Sequence, residues 1–302
     1  MSNIARVFTV SSGCKAVRYD DETTVQRVMR VVLQSIGVAA VAHAHFALRL
    51  IPGPPQCTAG DYVWLHPCLL ISSLRNIYSA FFPSTSCEQD LNFELRLRFV
   101  PQSAYELLLT ESNAFLYLNE QVFEDFLGHV AWKVNLEAAL ELAALKVCRD
   151  YVEKKAKSCL DHKVDINAID IDSSIQKFVP KTVLYCGNNK PSAVRRQFTQ
   201  LLKKYASLPA TESVLRSLSI LVDIVKFDVE IFKASLGVGW SSPVDLLVGP
   251  EVGLSYRINE RCEVSRLAEL RSVLEIVLRK MEQNSEKTIV QLKISGSAQP
   301  MV

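Results

Sequence analysis

Two histidines two residues apart, His43 and His45, are the first place in this chain where a metal or a proton-transfer site could sit. Zinc chemistry needs three or four His, Cys or carboxylate ligands converging on one point. No carboxylate or cysteine is placed beside this pair, so the two rings read as solvent-facing or core-edge residues of a strand. The run Gly237-x-Gly239-x-x-Ser242 has two glycines of a dinucleotide loop, but it lacks the third glycine and a following helix, and so makes no cradle for a pyrophosphate. The eight cysteines (14, 57, 68, 87, 148, 159, 186 and 262) include no Cys-x-x-Cys pair. They read as reduced thiols of a cytosolic chain rather than a disulfide or zinc framework. No acid and base pair off either, so neither a catalytic nor a cofactor site is expected.

Charge is the chemistry that remains. The chain nets +2, yet between Ser173 and Thr211 there is no Asp or Glu. Lys177, Lys181, Lys190, Arg195, Arg196, Lys203 and Lys204 give that window seven positive charges and leave the rest of the chain at −5 against the total of +2. A nucleic-acid binder spreads basic charge over a whole domain with aromatics interleaved, which this chain does not do. At about 100° per residue, Arg196, Lys203 and Lys204 fall opposite a stripe of Val194, Phe198, Leu201 and Tyr205, with Arg195 at its edge. Burying that stripe turns the cations to solvent. Lys190 and Pro191 precede the helix, whose free N–H groups favour a phosphate at that end.

The elements that must hold this face follow from pattern. With 302 residues, 49% hydrophobic and 22% charged, the chain folds and holds more than one core. Its most apolar stretch, 31–50, is interrupted by Gln34, Ser35, Gly37, His43, His45 and Arg49 and is a poor bilayer span. Residues 1–6 show no signal-peptide pattern, so a cytosolic address is expected. The first hundred residues read as strand, strand, helix, strand, strand, short helix, strand. Asp21 and Thr23 are cap candidates for a helix that buries Val25, Val28, Met29, Val32 and Ile36. In 93–99 apolar and charged residues alternate strictly, which predicts one buried and one wet face. From Pro101 the period becomes helical, with stripes through Phe115, Leu118, Val122 and Phe126, then Leu136, Ala139, Leu140, Ala143, Val147 and Tyr151, then the basic helix, then Val214, Leu218, Leu221 and Val225. Residues 157–174 read as a polar connection. From Asp228 the chain is β-rich, except 266–281, whose spacing and Leu, Glu and Arg content favour a helix while its place between strands favours a meander. The expected organisation is α+β in three lobes: a ubiquitin-like roll over 1–100, a helical bundle over 101–227 and a β lobe over 228–302.

That order resembles the FERM domain. The runs Trp64-Leu65-His66 with Ser72-Ser73-Leu74-Arg75, Glu94-Leu95-Arg96-Leu97-Arg98-Phe99-Val100-Pro101, Phe178-Val179-Pro180-Lys181, Gly249-Pro250-Glu251-Val252-Gly253-Leu254-Ser255-Tyr256 and Gln291-Leu292-Lys293-Ile294-Ser295-Gly296 are similar to the FERM domain of the focal adhesion kinase family, in an invertebrate form. The resemblance implies an acyl-CoA-binding-protein-like bundle and a pleckstrin-homology-like third lobe, incomplete at its C-terminus. No Gly-rich phosphate loop, His-Arg-Asp or Asp-Phe-Gly is present, so the chain is expected to be no enzyme, and its parent a non-receptor tyrosine kinase. It further implies that Lys190, Arg195, Arg196, Lys203 and Lys204 bind phosphatidylinositol bisphosphate membranes, although Ser192 stands where the family commonly has lysine. Tyr151 and Lys154 fall on the surface that docks the parent's own kinase domain in an autoinhibited state, Lys154 replacing an apolar residue, and Trp240 on one that self-associates into a FERM–FERM dimer. Receptor or adhesion-protein tails are the other implied partners, with a cytoplasmic location, peripheral at the plasma membrane and cell-matrix adhesions. The alternative is a stand-alone FERM adaptor between membrane-protein tails and the cytoskeleton.

Overall fold

The computed structural model describes residues 3–10, 13–52, 62–81, 91–101, 103–130, 134–156, 164–185, 190–236, 243–259, 261–281 and 284–296. The chain divides into two compact units, Met1–Lys226 and Phe227–Val302.

In the first unit, β1 (Asn3–Thr9) and β2 (Gly13–Tyr19) form an antiparallel hairpin. Gly13 opens β2 at φ 73°, a left-handed conformation that suits glycine. Helix α1 (Val25–Ser35) follows and buries Val25, Val28, Met29, Val32 and Leu33. Its cap is Thr24, one residue beyond the expected candidates, because the Thr23 hydroxyl donates instead to Asp20. Ile36, expected on the same face, lies half-buried just past the helix end. Then come β3 (Phe46–Ile51), β4 (Val63–Trp64), α2 (Leu74–Phe81) and β5 (Asn92–Leu97). The sheet runs β2-β1-β5-β3-β4, with β1 and β5 parallel and the other pairs antiparallel.

The wet face expected of β5 does not exist. Glu94 and Arg96 are 8% and 7% exposed. The cause is position: β5 is the middle strand, and both sides of it are covered. Arg49 on β3, directly opposite in register, donates through Nε to Glu94 Oε2 at 2.8 Å, and Arg96 Nη1 donates to Glu94 Oε1 at 3.2 Å. The other arm of Arg96 donates to Asp125 from the helical part of the unit. Arg49 also stacks on Tyr62 at 4.3 Å, and Arg98 on Trp64 at 4.4 Å. Alternation thus marks the two faces correctly but cannot say that a second layer covers the charged one.

The helical part begins at α3 (Ala104–Thr110), followed by α4 (Ser112–Asp125), a π-type turn Phe126–Val130 and α5 (Leu136–Ala156), which Asn135 caps by accepting the Ala138 N–H at 2.8 Å. The α4 side chains complete strand ends of the sheet. Tyr117 OH donates to Leu95 C=O at 2.6 Å and accepts the Val10 N–H, while Gln121 both accepts from and donates to the Leu97 backbone at 2.8 and 2.9 Å. Sheet and helices therefore share satisfied polar groups as well as apolar contact. Helix α5 is buried nearly all round, through Ala139, Leu140, Leu142, Ala143, Ala144, Leu145, Val147 and Cys148, because other helices pack on several of its sides. Burial pushes the Cys148 thiol up to about 12, which leaves it an inert core residue.

The polar connection expected over 157–174 is partly helical. Asp165 caps a 3₁₀ turn, Ile166–Ala168, and Asp170 caps α6 (Ile171–Phe178), which buries Ile175. Elements of one or two turns show too few repeats for a period to appear in sequence. After α7 (Lys181–Tyr185) come α8 (Pro191–Tyr205) and α9 (Ala210–Val225).

Between α4 and α5 lies an ion cluster. Glu120 accepts from Lys146 Nζ at 2.7 Å and from Arg149, and Asp150 lies 3.0 Å from Lys146 and 3.2 Å from Arg149. Burial alone would raise the Glu120 carboxyl, but Arg149 and Lys146 outweigh it and hold the group below its ordinary value. A carboxylate with a depressed native pKa stabilises the fold above its unfolded value, about 4.3, and that stability is lost as pH falls through the native pKa. Glu120→Gln is therefore expected to flatten the acid limb of a stability-against-pH curve measured by urea unfolding. An unchanged limb would exclude this cluster as its source.

In the second unit, β6 (Glu230–Ser235), β7 (Pro243–Gly249), β8 (Gly253–Arg257) and β9 (Ser265–Ala268) form an antiparallel meander, and β10 (Val273–Met281) and β11 (Asn284–Ile294) form a two-stranded ribbon. Over 266–281, where spacing favours a helix and position a meander, the chain is strand on both sides of a 3₁₀ turn at Leu270–Ser272. Leu274, Ile276 and Leu278 also repeat with period two, and pairing with β11 selects that period. The turn between β7 and β8 needs its glycines: a Cβ on Gly249 would lie 2.7 Å from the Asp228 carbonyl, and Gly253, at φ 64°, leaves 2.5 Å to that of Ala268. Asp245 accepts from Lys233 at 2.6 Å and from Arg257 at 3.2 Å on the two flanking strands.

Candidate functional site

The basic helix α8 is set by its apolar stripe. Val194, Phe198, Leu202 and Tyr205 are buried, Leu201 is half-buried, and α5 and α6 are among the helices that pack against α8. At its far end the Tyr205 hydroxyl donates to Glu141 of α5, and Arg216 of α9 donates to the same carboxylate through Nε at 2.8 Å. Burial pushes the Glu141 carboxyl up, but these two partners outweigh it and hold it below its usual range. The helix is thus pinned along one side and at its end. Its opposite side is free: Arg195, Arg196, Lys203 and Lys204 are all exposed, and so is Lys190 at the N-cap. Pro191 starts the helix with a fixed φ and no N–H to lose, and no side chain caps that end.

Sequence reasoning missed one member of this surface. Arg195 Nη1 donates to Asp172 Oδ2 at 2.9 Å, both side chains more than half exposed. Asp172 stands one residue outside the acid-free window, and the first turn of α6 brings it against α8. The only signal was that proximity in number. Lys204 sits over the Tyr205 ring at 5.1 Å. Lys190, Arg196 and Lys203 have no ion-pair partner among the described residues.

The other expected sites fare differently. Tyr151 and Lys154 lie near the C-terminal end of α5; Tyr151 is half-buried with Lys155 Nζ 5.0 Å from its ring centre, and Lys154 is exposed. Trp240 and the run 237–242 lie outside the described residues. His43 and His45 belong to a 3₁₀ turn, Ala40–His45, rather than a strand, and each is committed to backbone: His43 Nε2 lies 3.1 Å from Val38 C=O and His45 Nδ1 2.7 Å from Phe99 C=O. Among the described residues no group of three His, Cys, Asp or Glu could hold a metal, and no helix is long and apolar enough to cross a membrane.

Comparison with known proteins places these features in a lineage. Residues 3–101 match the model of the FERM N-terminal domain, and residues 234–302 match that of the FAK1/PYK2 FERM domain C-lobe; between them they cover more than half of the chain. The inactive tyrosine-protein kinase kin-32 of Caenorhabditis elegans is 51% identical over 304 residues, covering all of this chain and 35% of the worm protein. Human FERM and PDZ domain-containing protein 1 is 25% identical over 303 residues, covering 96% of this chain and 18% of that one. Among solved structures, the complex of the FERM and C-terminal domains of Drosophila Merlin superposes with a TM-score of 0.70 at 15% identity, covering 99% of this chain and 88% of that one. The chain spans about a third of the worm relative's length.

Proposed function

The chain belongs to the FERM family, with a C-terminal lobe of the focal adhesion kinase type, and on that premise we propose that it is a regulatory, non-catalytic region whose basic α8 face binds membranes rich in phosphoinositide. The observation that carries this reading is the unneutralised face itself: Lys190, Arg196 and Lys203 point to solvent without a counter-ion among the described residues, and Arg195 is held only by an exposed aspartate. An exposed ion pair of that kind is worth little and gives way to a multivalent anion. The division into lobes over 1–100, 101–227 and 228–302 belongs to the same proposal.

The regulatory part of the proposal uses α5. Tyr151 offers a half-buried aromatic beside exposed Lys154 and Lys155, a surface suited to a partner that supplies carboxylates, here the parent's own kinase domain. Because the worm relative is named an inactive kinase, docking there is read as control of which faces the protein exposes, rather than of a phosphorylation rate.

The test is sedimentation with vesicles containing phosphatidylinositol bisphosphate. Cations near an anionic surface contribute on the order of 1 kcal/mol each, so Lys190→Ala, Arg196→Ala and Lys203→Ala together are expected to weaken binding at least about tenfold. Equal sedimentation of wild type and triple variant would overturn the proposal.

A further inference from the structure

One hydroxyl stands among the cations of α8. Ser192 is exposed, two residues after Lys190 and three and four residues before Arg195 and Arg196. Its Oγ makes no hydrogen bond among the described residues. The neighbouring hydroxyls are committed: Thr199 donates to Arg195 C=O at 2.8 Å, and Ser174 on α6 donates to Asp170 C=O at 2.6 Å. Ser192 is thus a free hydroxyl in a strongly basic setting, on the first turn of a helix that no side chain caps.

We propose that Ser192 is a phosphorylation site that switches off the anion-binding face of α8. The enzyme is identified by chemistry: a serine/threonine kinase with an acidic substrate groove, which reads the cations at positions −2, +3 and +4. Ser192 Oγ attacks the γ-phosphorus of ATP; the new O–P bond forms as the bond from that phosphorus to the β,γ-bridging oxygen breaks, ADP leaves, and the hydroxyl proton passes to the kinase's catalytic carboxylate.

The consequence follows from helical geometry. Residues i+3 and i+4 lie on the same face as residue i, so the phosphate sits against Arg195 and Arg196 and takes charge-assisted hydrogen bonds from their guanidinium groups. The positive end of the helix also favours it. Among the described residues the Arg195 side chain has only its exposed contact with Asp172 to give up. A phosphate carrying nearly two negative charges removes about half of the net positive charge that five cations and Asp172 leave on this face. The switch rests on the membrane reading given above; the modification site does not.

The experiment uses the full chain, wild type and Ser192→Ala, incubated with ATP and the catalytic domain of a protein kinase C-type enzyme, with the phosphate placed by peptide mass spectrometry. Sedimentation with phosphatidylinositol bisphosphate vesicles then compares modified and unmodified protein. One phosphate on Ser192, absent from the Ser192→Ala variant, with vesicle affinity lowered at least tenfold, is the expected result. No incorporation, or equal incorporation into both proteins, overturns the site. Phosphate on Ser192 with unchanged affinity overturns the switch. A chain that is phosphorylated on Ser192 but does not bind vesicles even when unmodified overturns the membrane reading, and the switch with it, while the site stands.

Discussion

Replacing Arg96 with alanine is expected to destabilise the first unit by about 3–5 kcal/mol, because breaking a buried ion pair from one side leaves its partner charge without compensation. One carboxylate, that of Asp125, is stranded in this case, while Glu94 keeps its pair with Arg49. Arg96 is 7% exposed and bridges Glu94 on its own strand to Asp125 on α4, so its loss leaves Glu94 with Arg49 alone and Asp125 without its bridge. The size of the effect comes from that stranded charge more than from the lost bonds. Neutralising Arg96 and Asp125 together, as Arg96→Met and Asp125→Asn, while Glu94 keeps Arg49, should recover most of the loss, since it removes the desolvation cost along with the attraction. Urea unfolding of the first unit measures both variants. A loss below 1 kcal/mol for the alanine variant would mean that water reaches β5.

The second large effect is expected at Phe198, and it separates the two sides of α8. The ring is fully buried, and replacing a core phenylalanine with alanine costs about 3–5 kcal/mol from lost transfer energy and the cavity left behind. Two positions back, Arg196 is exposed and has no ion-pair partner among the described residues, and Arg196→Ala is expected to leave stability within about 0.5 kcal/mol. Vesicle binding should respond in the opposite sense, Arg196→Ala weakening it at temperatures where both proteins are folded. A stability loss at Arg196 equal to that at Phe198 would contradict the assignment of one side to the core and the other to the ligand.

Legibility followed the length of each element. The long periodic helices read well: Phe115, Leu118 and Val122 of α4, and Val194, Phe198 and Tyr205 of α8, are buried as their spacing predicts. Short or ambiguous elements read poorly, since α6 is eight residues and β10 carries both periods at once. Beyond pattern lay everything decided by what packs on top of an element. Nothing in the alternation of 93–99 says that Asp125, about thirty residues later, will cover Arg96, and nothing within the acid-free window says that α6 will bring Asp172 to Arg195. The cationic face itself was readable because charge was clustered in sequence as well as in space, which let the helical period sort Arg195, Arg196, Lys203 and Lys204 without knowledge of the fold. The histidines were misplaced on a strand because the 3₁₀ turn Ala40–His45 is held by tertiary contacts that a local pattern does not carry.

The central claim, that clustered charge on α8 recruits this chain to an anionic membrane, is tested most directly by the salt dependence of vesicle partitioning. Exposed charges are screened over about 10 Å at 0.1 M salt and over about 30 Å at 0.01 M. Binding of the wild-type chain to phosphatidylinositol bisphosphate vesicles should therefore fall steeply as salt rises to 0.1 M and beyond, and the Lys190→Ala, Arg196→Ala, Lys203→Ala variant should show a markedly shallower slope from a lower starting affinity. Affinity that does not change with salt, or identical slopes for the two proteins, would contradict the account.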